Sequence, residues 1–82
     1  MTEQEVIEAA RRVLVKRLKV NPAMITADTV IQELGADSLD LLMMAGEFED
    51  LFKIEIPTKD VREIRTFGDI TRHLTLKLGL AA

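Results

Sequence analysis

The sequence predicts an all-α fold of three main helices and one short helix, with a long first loop. Along three segments, apolar residues recur at spacings of three and four, the period of a helix that buries one face. Aromatic residues make up only 4% of the 82 residues, against 48% hydrophobic residues, so the core is expected to be aliphatic. A chain of this length supports one hydrophobic core, and we therefore expect residues 1–82 to form a single domain.

The first helix is predicted at about Thr2–Lys19. Thr2 and Glu5 have the spacing of a capping box. Asn21-Pro22 ends the helix, because the residue before a proline avoids helical backbone angles. Helical spacing predicts a buried face made of Val6, Ile7, Ala10, Val13, Leu14 and Leu18.

Residues 20–36 form a long connection between the first and second helices. A structureless loop of this length is unusual in a compact domain, so we expect a short helical turn at about Val30–Leu34. Gly35 then allows a sharp change of direction. The aliphatic residues expected to hold the connection against the core are Ile25, Val30, Ile31 and Leu34.

The second helix is predicted at about Ser38–Phe52, followed by an extended segment, Ile54–Pro57, that is too short for a sheet strand. Met44 is expected to pack in the core. The predicted core-facing positions of this helix are Leu42, Ala45, Phe48 (or Glu49) and Phe52.

A short third helix is predicted at Thr58–Ile64, with Val61 and Ile64 as its apolar anchors. The last helix starts at Thr66, where Asp69 completes another capping box, and Gly79 fits its end. Its predicted buried residues are Phe67, Ile70, Leu74 and Leu78.

Composition excludes several classes of protein. The chain has no cysteine, which rules out a disulfide scaffold, a cysteine zinc site and a thiol of its own. The acidic, polar start differs from a signal peptide, and the longest apolar run, Leu41–Ala45, is too short to span a bilayer. We therefore expect a cytoplasmic protein, and the initial Met predicts a free-standing one.

The charge is distributed unevenly around a net value of −3. Residues 37–55 hold many carboxylates and only one cation, Lys53, which favours a basic protein partner over nucleic acid. Residues 11–19 hold a basic cluster without acidic residues: Arg11, Arg12, Lys16, Arg17 and Lys19. Because no aromatic side chains accompany this cluster, we interpret it as a solvated helix face.

The most informative stretch surrounds Ser38 at the start of the second helix. Asp37 is a strong N-cap, and Asp40 follows three residues later as in a capping box. Ser38 would then be the first helical residue, with its hydroxyl exposed where the helix dipole favours an anion such as a phosphodiester. The alternative is that Ser38 itself caps the helix and does nothing more.

The run Leu34-Gly35-Ala36-Asp37-Ser38-Leu39, the acidic helix after it and Ile54-Glu55-Ile56-Pro57 resemble the acyl carrier protein family over essentially the whole chain. This resemblance implies an acyl-carrier-protein-like bundle and a carrier rather than an enzyme. It also implies that Ser38 receives 4'-phosphopantetheine from coenzyme A through a phosphopantetheinyl transferase (holo-acyl-carrier-protein synthase).

The resemblance also implies partner-binding residues on the second helix. Asp37, Leu39 and Asp40 would be recognised by the transferase. Leu39, Met43, Glu47 and Asp50 would contact acyl-transferring or synthase enzymes that bear basic docking patches. We expect a monomer, with no nucleic acid partner. The load could be a fatty acid, a polyketide unit or an amino acid, and the aliphatic core could sheath an acyl chain.

Two residues depart from the family pattern. Met43 stands where family members from fatty acid synthesis often have glutamate, and Gly46 stands where they tend to have an apolar residue. Altered partner choice, in a specialised carrier outside primary fatty acid synthesis, is one hypothesis. Neutral drift is the other.

Competing functions have less support in the sequence. An unmodified helical interaction module could use the same acidic second helix. An enzyme would need a nucleophile and base or a metal site, but His73 is the only histidine and is expected to be a surface or half-buried residue. The carboxylates of the second helix lack the spacing of an EF-hand, so no metal is predicted beyond weak screening by divalent ions.

Overall fold

Four α-helices and two 3₁₀ turns make up the regular structure of residues 1–80, the part of the chain that this computed structural model describes. The helices are α1 (Glu3–Leu18), α2 (Ser38–Phe52), α3 (Thr58–Arg62) and α4 (Phe67–Lys77), and the 3₁₀ turns are Pro22–Met24 and Ile31–Leu34. The predicted all-α class of three main helices and one short helix is confirmed. Helix α3 is shorter than predicted, since it ends at Arg62 rather than Ile64.

Capping boxes start each of the three long helices. At α1, the amide of Glu5 donates to Thr2 Oγ1 over 3.2 Å, and the amide of Thr2 donates to Glu5 Oε1 over 2.8 Å. Thr66 and Asp69 make the same reciprocal pair at α4. These boxes satisfy amides that would otherwise lack partners, which is why the sequence located the helix starts so closely.

The core lies where α1 packs against α2 and α4. Its largest fully buried side chains are Val6, Leu14, Ile31, Met44, Phe67 and Leu74. Most are aliphatic, as predicted, and Met44 occupies the core position expected for it. Burial of these side chains supplies most of the free energy that opposes chain entropy in so small a domain.

The long connection between α1 and α2 is held down by both side chains and backbone. Ile25 and Ile31 are buried, 2% and 1% exposed. The amide of Ile31 donates to Arg65 O over 2.8 Å, and the amide of Gly68 donates to Ala27 O over 2.9 Å. The connection is therefore tied to the start of α4, which fixes the point where the chain enters α2.

The prediction that Leu42 faces the core is wrong, because its side chain is 44% exposed. The buried positions of α2 are Met44, Ala45, Phe48 and Phe52. At 100° per residue, Leu42 lies roughly 100° from the centre of that face. Leu42 therefore borders the groove towards α3.

The segment after α2 is tied back to that helix by Glu49. Its Oε2 accepts a hydrogen bond from the Ile56 amide over 2.8 Å. Ile56 is buried, Ile54–Pro57 form neither helix nor strand, and Pro57 has extended backbone angles. Phe48 takes the core position that the sequence left open between Phe48 and Glu49. Leu78, which was predicted to be buried, is the residue after the end of α4 and is half-buried.

Candidate functional site

Ser38 is the first residue of α2, and Asp37 is the residue that caps the helix. Asp37 Oδ1 accepts a hydrogen bond from the Asp40 amide over 2.9 Å, and Asp40 Oδ2 accepts one from the Asp37 amide over 3.2 Å. Ser38 is therefore not the cap. Its side chain is exposed, and its hydroxyl bonds to no group within residues 1–80.

The residues before α2 turn Ser38 outwards. Gly35 has φ of 95°, in the left-handed region that glycine adopts without strain, and it ends the second 3₁₀ turn. Ala36 is then buried at 4% exposure, and Asp37 is extended. Burial of Ala36 and capping by Asp37 together leave Ser38 facing solvent. Ser38 is also the only serine in the 82 residues.

The start of α2 is suited to an anion in spite of its neighbouring carboxylates. In the described part of the chain, the amides of Ser38 and Leu39 donate to no protein acceptor. These amides lie at the positive end of the helix dipole. A phosphodiester on Ser38 Oγ would lie beside them.

A groove of about 420 Å³ opens next to Ser38, between α2 and α3. Leu41, Leu42, Val61 and Ile64 give it apolar walls, and Arg62 is its one charged lining residue among those described. The groove can accommodate a flexible arm that carries both amides and methyl groups. Sequence patterns do not reveal this groove, because its shape depends on the angle between two helices.

Between α2, α4 and the residues Ile56 and Ile64 that flank α3, the structure leaves an internal space of only about 10 Å³. Such a space does not hold even one water molecule comfortably. In this conformation the interior is closed, and the possibility that the core sheaths an acyl chain stays a prediction. A chain could enter only if the helices moved apart.

The residues predicted to bind partners divide between two sides of α2. Leu39 and Met43 are 65% and 51% exposed, and Asp50 is also exposed. These three recur at helical spacing, so they share the outer face with Gly46. Glu47 lies on the flank that faces α1 and is only half-buried.

Arg12, Lys16 and Lys19 are exposed, as expected for a solvated helix face, whereas Arg17 and Arg11 depart from that interpretation. Arg17 Nε donates to Glu47 Oε1 over 3.2 Å, and its Nη1 lies 3.9 Å from Asp40 Oδ1. Arg11 is likewise half-buried, paired with Glu8 and 5.5 Å from the ring centre of Phe67. Sequence reasoning missed these contacts because those of Arg17 to α2 join residues far apart in the chain.

A second polar cluster joins α3 to α4. Lys77 Nζ lies 2.9 Å from Asp60 Oδ2, and His73 Nε2 lies 3.9 Å from Glu63 Oε1. The hydrogen bond from Lys77 lowers the pKa of Asp60 from its ordinary value. Asp60, Glu63 and His73 offer oxygen and nitrogen atoms within 4.8 Å of one another. Because Lys77 already neutralises Asp60, we assign this cluster a structural role. His73 is half-buried, as expected.

An exposed serine at the head of a capped helix, within a bundle of four helices, is the arrangement of a carrier domain that holds its cargo on a prosthetic group. Residues 8–74 match the family model described as "Phosphopantetheine attachment site". The chain therefore belongs to the phosphopantetheine-binding family of acyl carrier proteins. Proteins of this family bear 4'-phosphopantetheine and are carriers rather than enzymes.

Curated relatives extend over nearly the whole chain. The acyl carrier protein of Wolinella succinogenes is 34% identical over 70 residues, which are 84% of this chain and 92% of the relative. That of Thermotoga maritima is 32% identical over 79 residues, 95% of this chain and 98% of the relative. That of Phenylobacterium zucineum is 36% identical over 76 residues, 92% and 96% of the two chains.

Solved structures show the same fold. The crystal structure of an acyl carrier protein from Thermotoga maritima has a TM-score of 0.82 at 23% identity, covering 96% of this chain and 93% of that one. A free-standing peptidyl carrier protein from an uncharacterized Acinetobacter baumannii secondary metabolic pathway has a TM-score of 0.79 at 25% identity, covering 94% and 96%. None of the helices in residues 1–80 is both long and apolar enough to cross a membrane.

Proposed function

We propose that residues 1–82 act as one carrier domain that holds an acyl or aminoacyl group as a thioester, on 4'-phosphopantetheine attached to Ser38. The observation that carries this proposal is the position of Ser38. Its hydroxyl is exposed at the start of α2, because Asp37 has taken the capping role. Family membership supplies the cofactor, and the structure supplies an accessible oxygen for it.

The residues around Ser38 fit this cofactor. The arm would supply a thiol, which the chain lacks because it has no cysteine. Asp37 and the buried Ala36 hold Ser38 Oγ towards solvent, the amides of Ser38 and Leu39 favour a phosphate there, and the groove beside them has room for the arm. Among the described residues, no side chain accepts a hydrogen bond from Ser38 Oγ, so in this proposal its proton would pass to the transferase.

Docking would use α2. In this proposal, Asp37, Leu39 and Asp40 meet the transferase, and Leu39, Met43, Glu47 and Asp50 meet the enzymes that load and unload the arm. Exposed apolar side chains beside carboxylates support this, since such a surface gives both contact area and charge complementarity.

The proposed cargo is any acyl or aminoacyl group that can form a thioester with the arm. A fatty acid, a polyketide unit and an amino acid all fit a thioester carrier, and the relatives include proteins named as acyl and as peptidyl carriers. Met43 and Gly46 on the outer face support a partner set different from that of primary fatty acid synthesis. We propose the cytoplasm as the compartment, because a chain without cysteine makes no use of the disulfides that oxidising compartments allow.

Intact-mass spectrometry after co-expression with a broad-specificity phosphopantetheinyl transferase tests the attachment. We expect the wild type to gain the mass of one arm and Ser38→Ala to gain none. Thr58→Ala is the matched control, because Thr58 is an exposed hydroxyl residue lining the same groove, and this variant should be modified fully. A wild type that stays at its polypeptide mass would contradict the proposal.

The same experiment addresses the alternative of an unmodified interaction module. Exposed Leu39, Leu42 and Met43 favour that alternative, because adjacent exposed apolar residues mark a protein-binding surface. An interaction module would remain unmodified and would bind its partner equally well as Ser38→Ala.

A further inference from the structure

We infer that Arg17 determines which partners the docking face accepts, because it occupies the two α2 carboxylates nearest α1. The inference deepens the proposed carrier function, since the docking face belongs to it. In this view Arg17 competes with a partner's cations for Asp40 and Glu47, so it weakens the charge part of docking relative to contact with the apolar face.

Arg17 contacts two carboxylates of α2, those of Glu47 and Asp40. It reaches from α1 to Glu47 with a hydrogen bond of 3.2 Å and approaches Asp40 to 3.9 Å. Its side chain is only 25% exposed, so the guanidinium lies between the two helices. Asp40 has its other oxygen committed to the Asp37 amide. Both carboxylates are therefore engaged before any partner arrives.

The geometry of α2 explains why one arginine reaches both acids. Asp40 and Glu47 are seven residues apart, two helical turns, so they lie on the same flank. The outer face beside that flank carries Leu39, Met43 and Gly46, and its exposed carboxylate is Asp50. The surface that follows Ser38 is thus mainly apolar.

Two further cations lie on the side of α2 that faces α1. A groove of about 460 Å³ between α1 and α2 brings Arg12 and Lys16 opposite Glu47 and Asp50. A partner's lysine or arginine that approached Glu47 would meet the guanidinium of Arg17 and these two cations, and one that approached Asp40 would meet Arg17. Like charges at such distances repel, and the repulsion weakens as salt is added.

Transferase kinetics provide the first test. For Arg17→Gln we expect the KM for the apo chain to fall about fivefold at about 0.05 M salt, because two carboxylates become available to a basic partner. At about 1 M salt, where the Debye length is about 3 Å, the difference should disappear. Arg17→Lys keeps the charge and should stay close to the wild type.

Arg72→Gln is the matched control for net charge. Arg72 also pairs with a carboxylate, Asp69, over 3.0 Å, but it lies on α4 and lines a cavity towards α1. Its loss should change the KM less than twofold, about the scale of a net-charge effect. If Arg17→Gln behaves like Arg72→Gln, or raises the KM, the inference is overturned.

A second measurement does not depend on modification of Ser38. Fluorescence anisotropy would follow the binding of labelled octalysine to the same variants in a Ser38→Ala background. Arg17→Gln should bind octalysine more tightly than Arg72→Gln at low salt, and equal binding would overturn the inference. A wild type that no transferase modifies would refute the proposed function alone, since the octalysine result still decides the role of Arg17.

Discussion

Gly46 and Gly68 differ in whether the surrounding structure leaves room for a Cβ atom. A Cβ added to Gly68 would lie 2.9 Å from Ala27 O, the oxygen that accepts the Gly68 amide hydrogen. A Cβ added to Gly46 would meet no atom within 4 Å. Gly68 is therefore required by the close approach of the long connection to α4, whereas Gly46 in the middle of α2 only loses helix propensity.

We expect Gly46→Ala to stabilise the protein by about 1 kcal/mol, the difference in helix propensity between the two residues. Gly68→Ala should destabilise it by about 1–2 kcal/mol, because the connection or α4 must shift. Urea denaturation of the pair, followed by circular dichroism, measures both values. Equal shifts of the same sign in the two variants would show that the contact at Ala27 has no energetic weight.

At the scale of the elements, the capping boxes of α1 and α4 couple helix formation to the ionisation of an acidic residue. The amides of Thr66 and Arg65 donate to Asp69 and lower the pKa of its carboxyl group. The hydrogen bonds of Thr2 lower the pKa of Glu5 in the same way. Both groups are more acidic in the folded protein than in the unfolded chain.

Because the pKa values of Glu5 and Asp69 are lower in the folded protein, the free energy of unfolding depends on pH. A depressed folded pKa contributes stability above the unfolded pKa, about 4 for an aspartate, and that stability is lost as the pH falls through the folded value. We expect the free energy of unfolding to decrease from pH 5 towards pH 2, and to decrease less steeply in Asp69→Asn. Thermal melts across this range test it, with exposed Asp28→Asn as the control. A slope unchanged in Asp69→Asn would count against this account of α4.

At the scale of the whole molecule, the long connection acts as part of the core. Ile31 is 1% exposed and lies a few residues before Ser38, so the same packing stabilises the fold and positions the entry to α2. The core cluster that contains Ile31 draws its residues from elements far apart in the chain.

Ile31→Ala should therefore cost about 2–4 kcal/mol, the usual range for a buried isoleucine. That is a large share of the roughly 5–15 kcal/mol available to a domain. Met24→Ala in the same connection should have almost no effect, since Met24 is 58% exposed. Chemical denaturation compares the two, and a small loss in Ile31→Ala would mean that the connection is dispensable to the core.

Local signals explain what could be predicted from the sequence and what could not. Capping pairs and apolar spacing span only a few residues, so the starts of α1, α2 and α4 and the position of Ser38 were predictable. The contact of Arg17 with Glu47 joins residues 30 apart, and the exposure of Leu42 depends on where α3 packs. The close approach at Gly68 depends likewise on tertiary geometry.

The tight interior has an energetic consequence for cargo. Each methylene group left in water costs about 0.8 kcal/mol, and the helices of this conformation offer a fatty tail no space to enter. A long hydrocarbon would gain free energy by moving into an enzyme's own tunnel, whereas a short or polar cargo would gain little. For the proposed carrier, the closed packing would therefore favour transfer of a long hydrocarbon to a partner enzyme more than transfer of a short or polar cargo.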